Sequence, residues 1–573
     1  MSVPSPTGSE RPAPGRLPGR APGPRPRARA GPRPVAVRAT GPRVIVLGAG
    51  VAGLVAAYEL EQFGYRVEVV ESGTRVGGRV RTHRFGAGPG APAVELGAMR
   101  IPSDHHRTLG FVRRLRLEGR LREFATLLSE ENAYVRTTGG FVRVHEAARP
   151  LREDFRRELA RLGPGRRHSE PALAFAAWLA AVVDAIAPPD MRAALREDLH
   201  GQLLDLVKHI DLSRYVRGAA GERVDLHALF SAHPDLRAGC SARLGGFLDD
   251  ILTETGPGLL RLEGGMDLFT SALASRLRGA VRCGHRVTGL HVRDEGVLVH
   301  IRAGARTLLH RAELAVCTLP FPALRGVRLT GFDADKLAVL DEVEYCPATK
   351  VAFHCREPFW WDGGIRGGAS FTGGGIRQTY YPPVDGDPRR GAALLASYTI
   401  GEEAARLGRL PAHVRHALVL EELSALHPEL RRPGMVLAAV SEAWGSAPWS
   451  AGCATRWGKS PAACERERAR AARPVGPLFF AGEHCAARPA WIEGAVESAL
   501  AAVEAIAGGE VSAGHPGAAV PALTTVRGRP GAPISGRCRR EASAVGRVRS
   551  PLLAGMGGAA PDPPVRRRRG AAV

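Results

Sequence analysis

Lysine and asparagine are almost missing from this chain, and only four of its 79 Lys and Arg residues are lysines. Each lysine is therefore conspicuous, because a compact ammonium on a flexible stem does work that a wide, planar guanidinium does not. No run of eighteen apolar residues occurs, which excludes an apolar helix long enough to cross a bilayer. The N-terminus carries arginine and proline but no apolar stretch. A secretory leader is therefore not visible and a cytoplasmic location is expected, unless the start codon is assigned too far upstream. The nine cysteines are odd in number and scattered, with neither CxxC pairs nor zinc-ligand spacing. They read as reduced thiols, mostly small core residues, and no metal site is expected.

The net charge of +22 suggests a nucleic-acid partner until it is located. Residues 1–43 carry nine arginines against one glutamate, and residues 508–573 carry eleven against three acids. Each end has a surplus of eight, which leaves +6 for the residues between. Both ends are rich in Pro, Gly and Ala and too poor in large apolar residues to build a core. Disordered basic tails are expected at 1–42 and 508–573, with no specific nucleic-acid partner. Arg566 to Arg569 are a candidate contact for anionic polymers or membranes. A chain of this length can bury several cores, so two or three domains are expected.

What is present begins at Val44 to Leu47, a continuously apolar run of the kind seen in a parallel strand covered on both faces. It leads into Gly48-Ala49-Gly50-Val51-Ala52-Gly53, after which Leu54 to Phe63 reads as a helix stopped by Gly64. Gly48 permits a tight turn, Gly50 lets the backbone approach a pyrophosphate, and Gly53 lets helix and strand pack closely. The helix N-terminus adds free N–H groups and a positive dipole. Glu71 closes the second apolar run where a carboxylate can accept from ribose hydroxyls. After Ser72 comes Gly77-Gly78-Arg79-Val80-Arg81, glycines beside arginines that suit bidentate phosphate contact, with solvated loop charges as the alternative. More than four hundred residues later, Phe480-Ala481-Gly482-Glu483 reads as a strand and a turn, and Ile492 to Ile506 as a helix behind Trp491. A dinucleotide gripped from both ends of a chain points to a flavin rather than a nicotinamide.

Gly-x-Gly-x-x-Gly, then Glu71, then Gly-Gly-Arg resembles the FAD-dependent amine oxidases, the group that holds monoamine oxidases and L-amino acid oxidases. The likeness is closest to the bacterial L-amino acid oxidases and covers residues 43–506. It implies FAD held by Gly48, Ala49, Gly50, Val51, Ala52, Gly53, Glu71, Ser72, Gly78 and Arg79. It adds Gly97, Ala98, Met99, Arg100 and Val287 from the middle of the chain, and Gly482, Glu483, Trp491 and Ile492 from its end. Gly97-Ala98-Met99-Arg100 looks like the block in which an arginine binds the substrate α-carboxylate, a group that needs a bidentate, permanently charged partner in an enclosed site. Gln378-Thr379-Tyr380-Tyr381-Pro382 is similar to a strand whose tyrosine donates to that carboxylate. Tyr381 is the better match because Pro382 anchors the alignment, while Tyr380 would point to the opposite face. Tyr345-Cys-Pro-Ala-Thr-Lys350 resembles the strand whose lysine holds a water near the flavin, and Trp491 would lie on the substrate side of the ring. The implied catalytic set is Lys350, Arg100, Tyr381 and Trp491. The resemblance implies hydride transfer from the substrate α-carbon to flavin N5, giving a 2-oxo acid, ammonia and hydrogen peroxide.

The chain departs from the family pattern at several positions. Cys453 falls where monoamine oxidases bind FAD covalently, yet non-covalent FAD is expected, with Cys453 as a packed thiol. Ala454 cannot form the second wall of the aromatic cage of monoamine oxidases, so the carboxylate clamp is favoured over the cage. Ala490 stands where the resembled oxidases often have glycine, and alanine restricts the backbone there.

The expected fold is α/β: a discontinuous Rossmann-like FAD-binding domain with a mixed-sheet substrate domain and a helical insertion. The FAD domain is expected at 43–102, 246–320 and 451–507, a helical substrate-side region at 103–245, and the substrate sheet at 321–450. The expected activity is FAD-dependent oxidative deamination of an L-amino acid with oxygen as acceptor, in a homodimer. Competing readings are a monoamine or polyamine oxidase, an amino acid 2-monooxygenase, and a basic scaffold or nucleic-acid-binding protein with an inactive flavin fold.

Overall fold

The computed structural model describes residues 41–125, 130–137, 139–146, 150, 216–217, 223–224, 258–372, 375–447, 449–456 and 461–512. Most of the expected tails, and the helices read at 151–162 and 171–186, lie outside these residues.

Five short strands form one parallel sheet in the order Val281–Arg282, Arg66–Val70, Arg43–Leu47, Leu314–Cys317, Leu478–Phe480. Only one strand separates the N-terminal strand from the strand that precedes Gly482, which is how signatures four hundred residues apart reach one sheet. Arg43–Leu47 is buried except at its first residue, as a central strand covered on both faces must be. On one face, the helices Val51–Gln62 and Ile492–Ser512 share a core with Val44, Val46, Leu54, Val496 and Val503. On the other face, Ile45 and Leu47 pack with Phe321, Leu340 and Phe480. The first helix begins three residues earlier than the periodicity suggested, directly after Gly50. The last helix runs to Ser512, past both the expected end at Ile506 and the expected start of the tail.

A second sheet of seven strands runs in the order Val436–Ala443, Ala348–Cys355, Ala392–Ile400, Gln378–Tyr380, Ala369–Phe371, Tyr134–Thr137, Gly140–Arg143. Residues 321–450 supply five of these strands. The last two come from the region 103–245, which was expected to be mostly helical and whose expected helices lie outside the described residues. Tyr134–Thr137 and Gly140–Arg143 form an antiparallel hairpin, and the first of them pairs parallel with Ala369–Phe371. Alternating burial along Tyr134–Thr137 and a glycine at the turn are strand signals, which the helix-spaced residues further on had masked.

Register in this sheet matters for the site. Lys350 is opposite Glu442 on one side and Tyr398 on the other, and Tyr398 is in turn opposite Gln378. Residues directly opposite one another project from the same face. Glu442, Lys350, Tyr398 and Gln378 therefore form one polar row across a buried sheet. Among the described residues no helix is long and apolar enough to cross a membrane.

Candidate active site

At the carboxyl ends of the parallel strands the backbone is shaped by close approach. Gly48 adopts a φ of +103°, and a Cβ at Gly53 would lie 1.9 Å from the Gly48 carbonyl oxygen, so neither position tolerates a side chain. A Cβ at Gly50 would meet nothing nearer than Gly78 Cα at 4.0 Å, which leaves its face open. No side chain caps the helix that starts here and its first turn has no acid, so the positive end of the dipole stays available to an anion. Glu71 accepts from the backbone N–H of Ala49 at 2.9 Å and of Gly73 at 2.7 Å. A carboxylate has about four acceptor positions, so two such bonds leave capacity for hydroxyl donors. Val287 is buried in the strand His285–Arg293, whose first N–H donates to the Glu71 carbonyl. An uncapped helix end, an open glycine and an acceptor carboxylate fit a dinucleotide.

The Gly77-Gly78 loop lies against this turn, with the Gly77 N–H donating to the Ala49 carbonyl at 2.7 Å. Both of its arginines are paired with carboxylates. Arg79 donates to Glu483 at 2.8 Å and to the Cys453 carbonyl at 3.0 Å, and Arg81 pairs with Glu442. Glu483 is the hub: it also accepts from the Thr455 hydroxyl and N–H and from the Ala490 N–H. Burial disfavours its charge, but the Arg79 guanidinium, His484 and the hydrogen bonds it accepts together outweigh this and hold the carboxyl below its usual range. Glu483 therefore ties together the N-terminal loop, the strand Ala454–Arg456 and the approach to the last helix.

Gly97 is locked against this loop, since a Cβ there would sit 2.1 Å from the Arg79 carbonyl oxygen. Ala98 donates its N–H to that same oxygen at 3.1 Å. Lys350 reaches across from the second sheet, donating to the carbonyls of Gly97 at 2.8 Å and Glu95 at 3.2 Å. Its ammonium also approaches the Met99 sulfur at 3.4 Å and lies 4.6 Å from the centroid of the Tyr398 ring. Burial pushes Lys350 down to about 7, with Glu95 opposing the shift and Arg100 adding to it. Burial likewise raises the Glu95 carboxyl to about 7, against hydrogen bonds from the Met266 N–H and the Thr82 hydroxyl.

The structure corrects one assignment here. The tyrosine beside Arg100 is Tyr380, whose hydroxyl lies 3.4 Å from an Arg100 Nη and also donates to the Gln378 side chain. Tyr381 points the other way: its hydroxyl bonds Ser370 and His427, each at 2.7 Å, inside a core with Trp360 and Phe359. Pro382 anchored the alignment, but the strand Gln378–Tyr380 ends at Tyr380, and the faces were assigned one residue out of step.

A cavity of about 380 Å³ opens beside this group, lined by Glu95, Met99, Phe124, Tyr380 and Leu395 among others. Its volume suits a small molecule. Phe124 stacks its ring under the Arg100 guanidinium at 5.7 Å. The ion pair Arg261–Asp385 stands among the residues around the cavity, as does Arg84, which pairs with Asp267. Trp491 meets His105 edge-on at 5.1 Å, and Glu493 fixes this corner by accepting from the Thr108 N–H and hydroxyl. Ile492 begins the helix beside them and is buried in the core of the parallel sheet. Ala490 adopts a φ of +71°, a conformation that favours glycine, so its departure from the pattern is visible in the backbone. The Cys453 thiol is hydrogen-bonded to Cys346, and this contact together with burial keeps it protonated.

Sequence reading missed Tyr398, Gln378, Glu95 and Phe124. The first two carried one usable signal, a polar or amphipathic side chain inside a strand otherwise built to be buried.

Residues 51–507 match the family model described as flavin containing amine oxidoreductase. The chain is 56% identical over 469 residues to the flavin-dependent L-tryptophan oxidase RebO of Lentzea aerocolonigenes, covering 82% of this chain and 98% of that one. It is 30% identical over 478 residues to the L-amino-acid oxidase of Mus musculus, covering 80% of this chain and 70% of the relative. Wild-type putrescine oxidase bound to putrescine superposes with a TM-score of 0.54 at 20% identity, over 82% of this chain and 99% of that one, a likeness of fold. The family match over most of the chain, with a relative above half identity, establishes that this protein belongs to the flavin-containing amine oxidoreductases and is an FAD-dependent oxidase.

Proposed function

We propose that this enzyme oxidatively deaminates an L-amino acid with an aromatic side chain, L-tryptophan foremost, passing the electrons to oxygen. The observation that carries this reading is Arg100 beside the Tyr380 hydroxyl, next to a largely apolar cavity that Phe124, Met99 and Leu395 help to line. Arg100 and Tyr380 would hold the α-carboxylate, and the apolar cavity would take a large side chain without leaving polar groups unpaired. A relative named as an L-tryptophan oxidase supports the same choice.

The Rossmann-like turn of Gly48, Gly50 and Gly53, with Glu71 and the start of the first helix, would hold the adenosine and diphosphate of FAD. The Gly97–Met99 segment, Glu483 and the Trp491–Ile492 corner would hold its other end. When bound, FAD supplies the acceptor for the hydride that leaves the substrate α-carbon. The protein's contribution is orientation and charge. Arg100 fixes the carboxylate, Trp491 walls the substrate side, and Lys350 holds a proton or a water at the reacting centre. The Cys453 thiol, hydrogen-bonded to Cys346 and held protonated, favours non-covalent FAD.

The test is a panel of L-tryptophan, other L-amino acids and tryptamine, followed by flavin bleaching and peroxide release. L-tryptophan should bleach the flavin fastest, and tryptamine, which lacks the carboxylate, should react poorly. Faster turnover of tryptamine would overturn the role of Arg100. Bleaching without peroxide would overturn oxygen as acceptor. A panel of aliphatic amino acids reacting faster than L-tryptophan would overturn the choice of side chain.

A further inference from the structure

We infer that Met99 is a site of self-modification, at which hydrogen peroxide made during turnover converts the thioether to methionine sulfoxide. The inference rests on the reading of oxygen as final acceptor. Three methionines are described with their surroundings, and they differ in what they face. Met99 lines the cavity, and its sulfur is 3.4 Å from the Lys350 ammonium. Met266 also borders the cavity but is the more deeply buried, at 0% exposure against 7% for Met99, in the core beneath the parallel sheet. Met435 lies in the apolar core of the seven-stranded sheet, among Phe353, Phe359 and Leu430, and does not line the cavity. A polarizable thioether is the side chain most readily oxidised without prior ionisation, so location decides which of the three reacts.

Met99 is also placed for proton management. The thioether sulfur attacks one oxygen of hydrogen peroxide and the O–O bond breaks. A proton from the neighbouring Lys350 ammonium reaches the departing oxygen, which leaves as water. The hydroxyl now on sulfur returns a proton to Lys350, leaving the sulfoxide. Sulfur loses two electrons and peroxide gains two, so one peroxide yields one sulfoxide and one water. The product changes the site, because a sulfoxide oxygen accepts hydrogen bonds far better than a thioether. It competes with the Gly97 and Glu95 carbonyls for the Lys350 ammonium and draws that group from its position. Turnover should then fall as Met99 is oxidised.

The experiment takes the holoenzyme through extended turnover with its best amino acid substrate while peroxide is measured. Peptides containing Met99, Met266 and Met435 are then quantified by mass spectrometry. A parallel arm adds hydrogen peroxide to resting holoenzyme. Met99 should gain sulfoxide at least about ten-fold faster than Met435, with Met266 between or alongside Met435, and the rate should decline in step with it. Methionine sulfoxide reductase should restore part of the lost activity. If peroxide is released and Met99 is oxidised no faster than Met435, the inference is overturned. If turnover releases no peroxide, the reading of oxygen as acceptor fails, and the added-peroxide arm decides the inference by the same ratio. In Met99→Leu, activity loss relative to its own initial rate should slow. An unchanged relative decay would mean that the decline has another cause, and would overturn the functional half of the inference.

Discussion

The two main sheets serve the active site in opposite ways. The parallel sheet contributes backbone: glycines at the ends of its strands, an uncapped helix terminus and one carboxylate, Glu71, folded onto the turn. The seven-stranded sheet contributes side chains, with Glu442, Lys350, Tyr398 and Gln378 in one row across four strands. Recognition by backbone depends on a local stretch of chain, whereas recognition by side chains depends on which distant strands lie opposite one another. The first region should therefore fail all at once when a single Cβ is added, and the second should fail by degrees.

Gly53→Ala tests the first half of this contrast and carries the largest expected effect. The new Cβ would overlap the Gly48 carbonyl oxygen, and backbone on both sides cannot yield as a flexible side chain would. The variant should be purified without the yellow flavin spectrum, and external FAD should not restore it. A yellow, active Gly53→Ala protein would mean that the turn is not shaped by this contact.

The second sheet is tested at the carboxylate clamp. Arg100→Met should lower kcat/KM for L-tryptophan by about 10²- to 10³-fold, the cost of removing one partner of a buried, charge-assisted pair. Tyr380→Phe should lower it by about ten-fold, the worth of one hydrogen bond to a charged group. Tyr381→Phe should leave KM close to that of the parent and lower Tm, because it removes the hydroxyl that bonds both Ser370 and His427 inside the core. A larger KM change for Tyr381→Phe than for Tyr380→Phe would reverse the assignment made from the structure.

This pair of tyrosines shows where sequence stops being legible. The glycine turn, Glu71, Glu483, Trp491, Arg100 and Lys350 stand in short local patterns, each with a conformational or chemical demand that one residue type meets. The parallel sheet could be outlined from those patterns together with the separation of its two ends. Which of two adjacent tyrosines faces Arg100 depends on where one short strand stops, and a single residue of register exchanges the faces. Tyr398 and Glu95 have no motif at all. They matter only because antiparallel pairing and loop closure bring them to the Lys350 ammonium. The hairpin at 134–143 was missed for a related reason: its partner strand begins more than two hundred residues later.

The electrostatics of Lys350 give a smaller and more pointed test. Burial pushes its ammonium down to about 7, with the charge of Glu95 opposing that shift and the charge of Arg100 adding to it. Loss of a nearby negative charge disfavours the ammonium, so Glu95→Gln should move the Lys350 limb of the pH–rate profile to lower pH. Arg100→Met removes a like charge and should move the same limb to higher pH, in addition to its effect on KM. Tyr398→Leu should act in the direction of Glu95→Gln, because the ring face stabilises the cation, while Tyr398→Phe keeps the ring and should leave the limb in place. Rapid measurement of flavin reduction across pH separates these shifts from changes in binding. Coincident profiles for Glu95→Gln, Tyr398→Leu and the parent would mean that Lys350 does not govern that step.

Beside Glu483, Ala490 offers the finest test, because it belongs to the backbone class yet carries a side chain. Its φ of +71° costs an alanine about 1–2 kcal/mol relative to glycine. Replacement by glycine removes that strain but enlarges the conformational freedom of the unfolded chain, which offsets about 0.4–1 kcal/mol. Ala490→Gly should therefore raise stability by at most about 1.6 kcal/mol, seen as a Tm rise of a few degrees or less. The N–H that donates to Glu483 is retained, so FAD content should not change. A marked fall in Tm would mean that the Ala490 methyl contributes packing that outweighs its strain, and that even a backbone-built corner of this site leans on a side chain.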